Sequence, residues 1–306
     1  MTGWPRKLLT AASTAIVLAS LWYLYGTAAH YGGLLPDLTL IGGQGAVLAG
    51  LAVLYLAGLL VLADVWFLIL RGMSAKESAA RPRAYASFLA SQIVKYLPSG
   101  IFHLLGRFGW LVRHGYDKAA VAKATLVELG GMAALSLVIA TVGLLWFPPE
   151  SSAVDALVAA LGIAAVPLPL GIAAGGVAAA VVWIVFRKYF WQKIKLVSPL
   201  ALVGAISFFL LQAIVFAGCY HLTAGEMAFS LVPIFTLSWF VGFVVVGAPG
   251  GIGVREATFV LLSTGVSSPE YALGSIVLFR LVTLAAEIAA FVIGYGINAR
   301  YKNQAA

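Results

Sequence analysis

The stretch FSLVPIFTLSWFVGFVVVGAPGGIGVREATFVLLS, residues 229–263, decides the fold class of this protein. It starts with a long apolar run, is interrupted at GAPGGIGVRE and continues as a second, shorter apolar run. Apolar runs of this kind are typical of helices inside a membrane, and Gly and Pro interrupt such helices. We therefore predict a broken helical hairpin at about 229–266, embedded in a lipid bilayer.

The composition of the whole chain points to the same environment. Of 306 residues, 62% are hydrophobic and only 10% are charged, and the mean hydropathy is +1.01. Soluble domains carry roughly 25% charged residues. A spanning helix needs about 20 apolar residues, so the chain holds roughly six to eight such elements and no separate soluble domain. The prediction is an all-α, polytopic integral membrane protein with one transmembrane domain, residues 1–306.

The remaining apolar segments predict six full spans and a second broken hairpin. This other hairpin covers about 84–113 and is interrupted at Pro98, Ser99 and Gly100. We interpret both hairpins as re-entrant, approaching from opposite faces with inverted-repeat character; pairs of thin spanning helices would leave the topology unchanged. The six full spans are expected at about 8–28, 44–70, 119–147, 170–186, 199–222 and 272–297.

The distribution of basic residues predicts the orientation. The loops at 29–43, 147–168, 222–228 and 263–271 contain no Lys or Arg, whereas the other loops and the C-terminal end are basic. By the positive-inside rule the basic side is cytoplasmic. We expect a plasma or bacterial inner membrane protein, with both termini in the cytoplasm and the first apolar run kept as an anchor. The net charge of +8 then indicates an attraction to anionic lipid head groups, not binding of nucleic acid.

Residues for metal or nucleotide chemistry are missing from the sequence. The four histidines are scattered, and neither an HExxH nor a Walker-type motif occurs. The single Cys219 lies in an apolar run, which favours a packing role. We expect no metal, no cofactor and no catalytic residue.

Five charged residues inside apolar segments are the informative ones, because a charge in the bilayer costs a few kcal/mol. Arg280 and Glu287 fall on one face of the last helix, since they are seven residues apart. One interpretation is structural: a buried network of ion pairs that joins Arg255 or Arg280 to Glu287. The five residues are Glu128, Arg255, Glu256, Arg280 and Glu287.

The functional interpretation combines the two breaks. A broken helix leaves free backbone N–H groups inside the membrane, and an anion is their natural ligand. Opposed broken helices indicate an alternating-access site near the bilayer midplane. The structural alternative for the first hairpin is an amphipathic element on the cytoplasmic surface. Candidate substrate-binding residues are Lys95, Ser99, Gly100, His103, Arg107, Gly250, Gly251, Gly253, Arg255 and Arg280; Glu128, Glu256 and Glu287 would balance their charge or couple transport to protons.

At these two segments the chain resembles the flippase-like family formed by the transmembrane region of lysylphosphatidylglycerol synthases. The resemblance rests on QIVKYLPSGIFHLLGR (92–107), on G-x-x-x-x-A-x-x-K-A-T-L-V-E (115–128) and on APGGIGVREA (248–257). It implies movement of lipids with charged or sugar head groups between leaflets. The chain departs from the family at two places. It has Pro98-Ser99-Gly100 where the family usually has Pro-Gly, and it has Leu129 where many relatives have Arg. The aminoacyl-transfer domain has no counterpart in these residues, so lipid aminoacylation is not expected.

Together these features predict a lipid translocase that moves a phosphate-bearing lipid through a central cationic site. Its partners would be anionic phospholipid or a polyprenyl-phosphate-linked glycan. Enzymes of lipid or glycan synthesis and a second copy of the chain are further candidate partners. Two alternatives stay open. One is a non-transporting subunit of a lipid or glycolipid synthesis complex. The other is a membrane transferase with a polyprenyl-phosphate donor, in which the acids would act as general bases.

Overall fold

A computed structural model describes residues 22, 42–74, 81–96, 102–146, 198–245 and 248–304. Across these ranges the chain forms α-helices, three short 3-10 helices and no β-strand. The prediction of an all-α protein is confirmed for them. We number the helices with described bounds as α1 (Gly45–Met73), α2 (Arg81–Ser91), α3 (Phe102–Arg113), α4 (Lys118–Trp146), α5 (Pro199–Ala224), α6 (Leu231–Val244), α7 (Val254–Leu262) and α8 (Pro269–Gln304).

Four of these helices, α1, α4, α5 and α8, are long and apolar enough to cross a membrane. The shortest, α5, has 26 residues. At about 1.5 Å per residue it exceeds the hydrocarbon thickness of roughly 30 Å. Large apolar side chains such as Val53 and Leu210 are more than half exposed, as expected of a surface that faces lipid. These helices correspond to four of the six predicted spans; the spans at 8–28 and 170–186 lie outside the described residues.

The contacts between α1 and α5 show that these helices run in opposite directions. Gly204, early in α5, packs against Val65, and Gly218, late in α5, packs against Leu51. The Tyr220 hydroxyl then donates a hydrogen bond to Ser267 Oγ at 3.0 Å, just before α8 begins. We call this end of the bundle the Ser267 end. The opposite end, towards which α8 runs, is the Arg300 end.

The first hairpin lies at the Arg300 end. It consists of α2, a 3-10 helix at Ile93–Tyr96 and α3; residues 97–101, with the predicted break, are outside the described ranges. The arms have 11 and 12 residues. Each is therefore only about 17 Å long, too short to cross the bilayer. The first arm packs against α8 and α1, and Arg81 at its start pairs with Asp64 of α1 at 2.5 Å.

The second hairpin reaches into the bundle from the Ser267 end. Its arms are α6, with 14 residues, and α7, with 9. A 3-10 helix at Pro249–Gly251 connects them. Pro233, near the start of α6, packs against Gly143 near the end of α4. The backbone turns sharply at Gly251 and Gly253, whose φ angles of 72° and 81° favour glycine. Both arms are thus anchored at the Ser267 end.

The two hairpins touch inside the bundle. The 3-10 helix at Ile93–Tyr96 contacts the one at Pro249–Gly251. A Cβ atom at Gly250 would lie 3.0 Å from Cε1 of the Tyr96 ring, so the ring rests directly on this glycine. These two 3-10 helices, which we call the hairpin tips, therefore meet between the spanning helices, although their hairpins start at opposite ends of the bundle.

The close approach of α2 to α8 depends on Gly294, and this gives a first prediction. A Cβ atom at Gly294 would lie 2.6 Å from the Ala90 backbone nitrogen. The variant Gly294→Ala must push the helices apart, and we expect it to lower the free energy of unfolding by about 1–3 kcal/mol. The measurement is denaturant unfolding in detergent micelles. The matched control is Gly296→Ala on the same helix, because nothing lies within 4 Å of the added atom. Equal stability of the two variants would contradict the contact.

Candidate functional site

The start of α7 carries the first ion pair of the site. Gly253 precedes the helix, and its N–H donates to Glu256 Oε2 at 2.7 Å. The other oxygen of the same carboxylate, Oε1, accepts from Nε of Arg280 in an ion pair. Glu256 therefore caps α7 and binds it to α8. The free N–H that we expected to hold an anion at this break is already used at Gly253.

Arg280 extends this link to the tip of the hairpin. Its Nη2 donates a hydrogen bond to the Gly250 carbonyl oxygen at 3.0 Å. One guanidinium thus bridges a carboxylate on α7 and the backbone of the preceding 3-10 helix. An irregular backbone inside a membrane needs such internal partners, because no water is present to satisfy it.

A second ion pair joins the first hairpin to α8. Lys95 Nζ lies 2.5 Å from Glu287 Oε1, although the residues are 192 positions apart in sequence. The Glu287 side chain is 1% exposed and that of Lys95 is 21% exposed. The pairing differs from the expected one, since Glu287 binds Lys95 and neither Arg255 nor Arg280. The reason is the meeting of the hairpin tips, which brings Lys95 to α8.

Arg255 lies beside these pairs and has a different environment. It is 8% exposed. Its guanidinium carbon is 5.6 Å from the centre of the Trp239 ring. Within the described residues it makes no ion pair and no hydrogen bond, and its Nε is buried without a partner. Arg255 is therefore a buried cation held against an aromatic ring and lacking a counter-ion in this part of the chain.

We call this group of residues the central junction. It combines three cations, two carboxylates and the contact between the hairpin tips. The Tyr96 hydroxyl also hydrogen-bonds to the Glu287 carboxylate, and Tyr55 lies within electrostatic range of both Arg255 and Glu287. The central junction consists of Lys95, Tyr96, Gly250, Gly251, Gly253, Arg255, Glu256, Arg280 and Glu287.

Arg107 and Glu128 form a separate group. Arg107 Nη1 donates to Glu128 Oε1 at 3.1 Å, and Nη2 pairs with Oε2. The guanidinium carbon stacks 3.9 Å from the centre of the Trp66 ring. Arg107 was predicted to share a site with Arg255; the structure places it in this neutral, bidentate pair with Glu128.

The Arg107 group also lies at a different depth. Arg107 lines a small cavity of about 120 Å³ together with Tyr295 of α8. Tyr295 follows Glu287 by eight residues, which is about 12 Å along the helix axis. The Arg107 pair is therefore nearer the Arg300 end than the central junction is. His103, one turn before Arg107 in α3, is partly buried. Ser99 and Gly100 lie outside the described residues.

Sequence reasoning missed the aromatic members of both groups. Trp239 next to Arg255 and Trp66 next to Arg107 sit in apolar helices, where an aromatic residue is most often part of the core. Tyr96 follows Lys95 directly in the first motif. Nothing in their spacing distinguishes these rings from other core residues. Cation–π contact depends on tertiary packing, so no local signal could have identified them.

Comparisons of the chain with protein-family models, with curated proteins and with solved structures found no match. Among the described residues no group of His, Cys, Asp and Glu side chains is arranged to hold a metal ion.

Proposed function

We propose that this protein is a lipid translocase, which moves a phosphate-bearing lipid head group across the membrane through the central junction. One observation carries the proposal. Arg255 is a buried cation without a counter-ion in the described part of the chain, and it lies where two short hairpins from opposite ends meet. An anionic ligand would supply the missing charge.

The energetics of burial support an anion at this place. An uncompensated buried charge costs several kcal/mol, and Arg cannot lose its proton in a protein. The planar guanidinium matches the geometry of a phosphate group. Trp239 supports one face of the cation and provides no negative charge. Arg255 is therefore better explained as a residue prepared for a ligand than as a residue that stabilises the folded chain.

The arrangement of the hairpins supports transport as the consequence of binding. Short broken helices that approach from opposite sides are a feature of alternating-access transporters, whose sites lie near the bilayer midplane. Each hairpin is fixed to α8 by one ion pair, Lys95–Glu287 for the first and Glu256–Arg280 for the second. We propose that these two ion pairs break and form again as the site opens to one side and then to the other.

The resemblance to flippase-like proteins agrees with this proposal. Its two most informative segments, 92–107 and 248–257, are distant in sequence, yet Tyr96 of the first rests on Gly250 of the second. On the same basis we propose six spans, an inverted repeat formed by the hairpins, a plasma or bacterial inner membrane location and a cytoplasmic Arg300 end.

We propose no enzymatic activity for this chain. A general base needs a carboxylate that is available to accept a proton from the substrate. Glu128, Glu256 and Glu287 each form an ion pair with a cation of the same chain. They are better placed to balance charge than to act as bases.

The test is a flipping assay in reconstituted vesicles. Fluorescent phospholipid in the inner leaflet becomes accessible to an impermeant reductant only after it has crossed. We expect the wild type to accelerate crossing and Arg255→Gln to slow it by about tenfold or more, the value of one hydrogen bond to a charged group. The matched control is Arg300→Gln, because Arg300 is exposed and distant along α8. Equal rates for wild type and Arg255→Gln would refute the proposed site.

A further inference from the structure

The buried carboxylate of Glu287 takes both of its described donors from one short element, the first hairpin tip. Lys95 Nζ lies 2.5 Å from Oε1, and the Tyr96 hydroxyl donates a hydrogen bond to the same carboxylate. Lys95 and Tyr96 are neighbours in the 3-10 helix at Ile93–Tyr96. Withdrawal of this tip from α8 would therefore remove the counter-ion and the hydroxyl donor together, from a side chain that is only 1% exposed.

Glu256, the other acid of the central junction, is held in a different way. It accepts from the Gly253 N–H of its own hairpin as well as from Arg280 of α8. Movement of the second hairpin away from α8 would leave the contact with Gly253 in place. Of the two acids, only Glu287 would lose all of its described donors in one movement.

The other charged and ionisable groups near Glu287 are few. Tyr55 of α1 and Arg280 of α8 are within its electrostatic range, and Arg280 is already paired with Glu256. Arg255 of α7 is within electrostatic range of Lys95. The remaining ionisable side chains described in α8 and in the helices packed against it lie nearer the ends of the bundle: Asp64 and Arg71 of α1, Arg81, Arg83 and Tyr85 of α2, Cys219, Tyr220 and His221 of α5, and Glu270, Tyr271, Tyr295 and Arg300 of α8.

We infer that Glu287 is a proton-binding site that controls the contact between the first hairpin and α8. A buried carboxylate that loses its cation is strongly unfavourable in the ionised form, and one proton removes its charge. Glu287 takes this proton from water when the tip withdraws and releases it to water when Lys95 and Tyr96 return. The Lys95 ammonium keeps its own proton throughout, so one proton is bound for each opening. Acid therefore favours the withdrawn tip, and base favours the contact.

The proton site follows from these contacts alone, whereas its effect on transport rests on the proposed function. In that function Arg255 holds the anionic ligand and is not available to replace Lys95 as the partner of Glu287. Opening of the first hairpin would then be linked to proton uptake, and the rate of transport would depend on pH.

Infrared difference spectroscopy of the detergent-solubilised protein tests proton uptake directly. On acidification, and before unfolding, the wild type should gain the carbonyl stretch of a buried protonated carboxyl group. This band should be absent in Glu287→Gln and present in the matched control Glu226→Gln, whose residue is exposed in a loop. If Glu287 stays ionised, for example by moving to Arg255, no such band appears and the inference is overturned.

The variant Tyr96→Phe tests the hydroxyl contact. It keeps the ring on Gly250 but removes one donor to the ionised carboxylate, so the band should appear at a pH about 1–2 units higher, the value of one hydrogen bond to a charged group. An unchanged titration would overturn the role of Tyr96 as a donor that keeps Glu287 ionised.

Hydrogen exchange measured by mass spectrometry tests the release of the hairpin. Glu287→Gln is uncharged, as the protonated acid is, and at neutral pH it should exchange the amide hydrogens of residues 93–96 about tenfold faster than the wild type or more. The double variant Lys95→Met with Glu287→Gln removes both charges, which leaves no buried cation unpaired and favours a folded protein. It should show exchange at these residues that no longer responds to acid beyond the intrinsic chemical rate. Equal protection of residues 93–96 in wild type and Glu287→Gln would overturn the inference.

The flipping assay then separates this inference from the proposed function. Wild type and Glu226→Gln should flip lipid at rates that change with pH across the range in which the infrared band appears, and the double variant should not. The same pH dependence in the double variant would overturn the control of transport by Glu287. Proton uptake and hairpin release without any flipping by the wild type would refute the proposed transport and leave the proton site standing.

Discussion

Replacing Glu256 with Gln should lower the free energy of unfolding by about 3–5 kcal/mol, the cost of removing one partner of a buried ion pair. The Glu256 carboxylate uses one oxygen for the Gly253 N–H and the other for Arg280. An amide has only one acceptor oxygen and no charge, so it cannot serve both donors. Arg280 would then remain buried without its counter-ion. Unfolding of the detergent-solubilised protein in a denaturant titration measures the loss.

Two further variants make this result interpretable. Glu226→Gln is the matched control, because Glu226 is exposed in the loop that follows α5, and it should change stability by less than about 0.5 kcal/mol. The double variant Glu256→Gln with Arg280→Met removes both charges and should recover part of the loss. A Glu256→Gln protein as stable as Glu226→Gln would contradict the ion pair. No recovery in the double variant would show that the cap on Gly253 is the larger contribution.

Replacing Arg107 with Met should be similarly destabilising, by about 3–5 kcal/mol. The side chain is buried, pairs with Glu128 through both terminal nitrogens and stacks on the Trp66 ring. Met fills much of the same volume but leaves the Glu128 carboxylate without its cation. The same unfolding titration measures the effect. The matched control is Arg113→Met at the exposed end of α3, which should be near wild type.

A double-mutant comparison then tests whether the two charged groups are separate. Among the described residues no ion pair joins Arg107 or Glu128 to a residue of the central junction. The effects of Arg107→Met and Glu256→Gln should therefore add within about 0.5 kcal/mol. A coupling above about 1 kcal/mol would show that the two groups act as one unit, as the sequence interpretation first assumed. Additivity would support a structural role for Arg107 at the Arg300 end that is independent of the Glu256–Arg280 ion pair.

The flipping assay provides the functional counterpart of this comparison. If Arg107 serves mainly to hold α3 against α1 and α4, its conservative variant Arg107→Lys should flip lipid at a rate close to wild type once folded. Arg255→Lys, in contrast, keeps the charge but loses the planar fork that binds two phosphate oxygens. Transport should thus be more sensitive to the shape of the side chain at position 255 than at position 107.

The positions of the charged residues were predictable, but their partners were not. Five charged residues stand out because each lies in an apolar segment, where burying a charge costs free energy and so indicates a structural or functional role. They are Glu128, Arg255, Glu256, Arg280 and Glu287. The ion pair of Lys95 with Glu287 spans 192 positions, and no periodicity relates the two. Arg280 and Glu287 share a helix face, yet they bind different hairpins: Arg280 pairs with Glu256 of the second hairpin and Glu287 with Lys95 of the first.

By itself, the sequence determined the membrane class, the helical structure and the helix break of the second hairpin at Pro249–Gly251; the break predicted at 98–100 lies outside the described residues. These are consequences of local composition: long apolar runs must form helices in lipid to satisfy their backbone groups, and Gly and Pro interrupt them. Only the tertiary structure decided that the hairpin tips touch and that Glu256 caps its own helix while it pairs with Arg280. The tertiary structure also decided that Arg255 packs against Trp239 and has no counter-ion among the described residues. Which charges meet depends on how the short helices pack around α8, and packing is a property of the whole fold rather than of any segment.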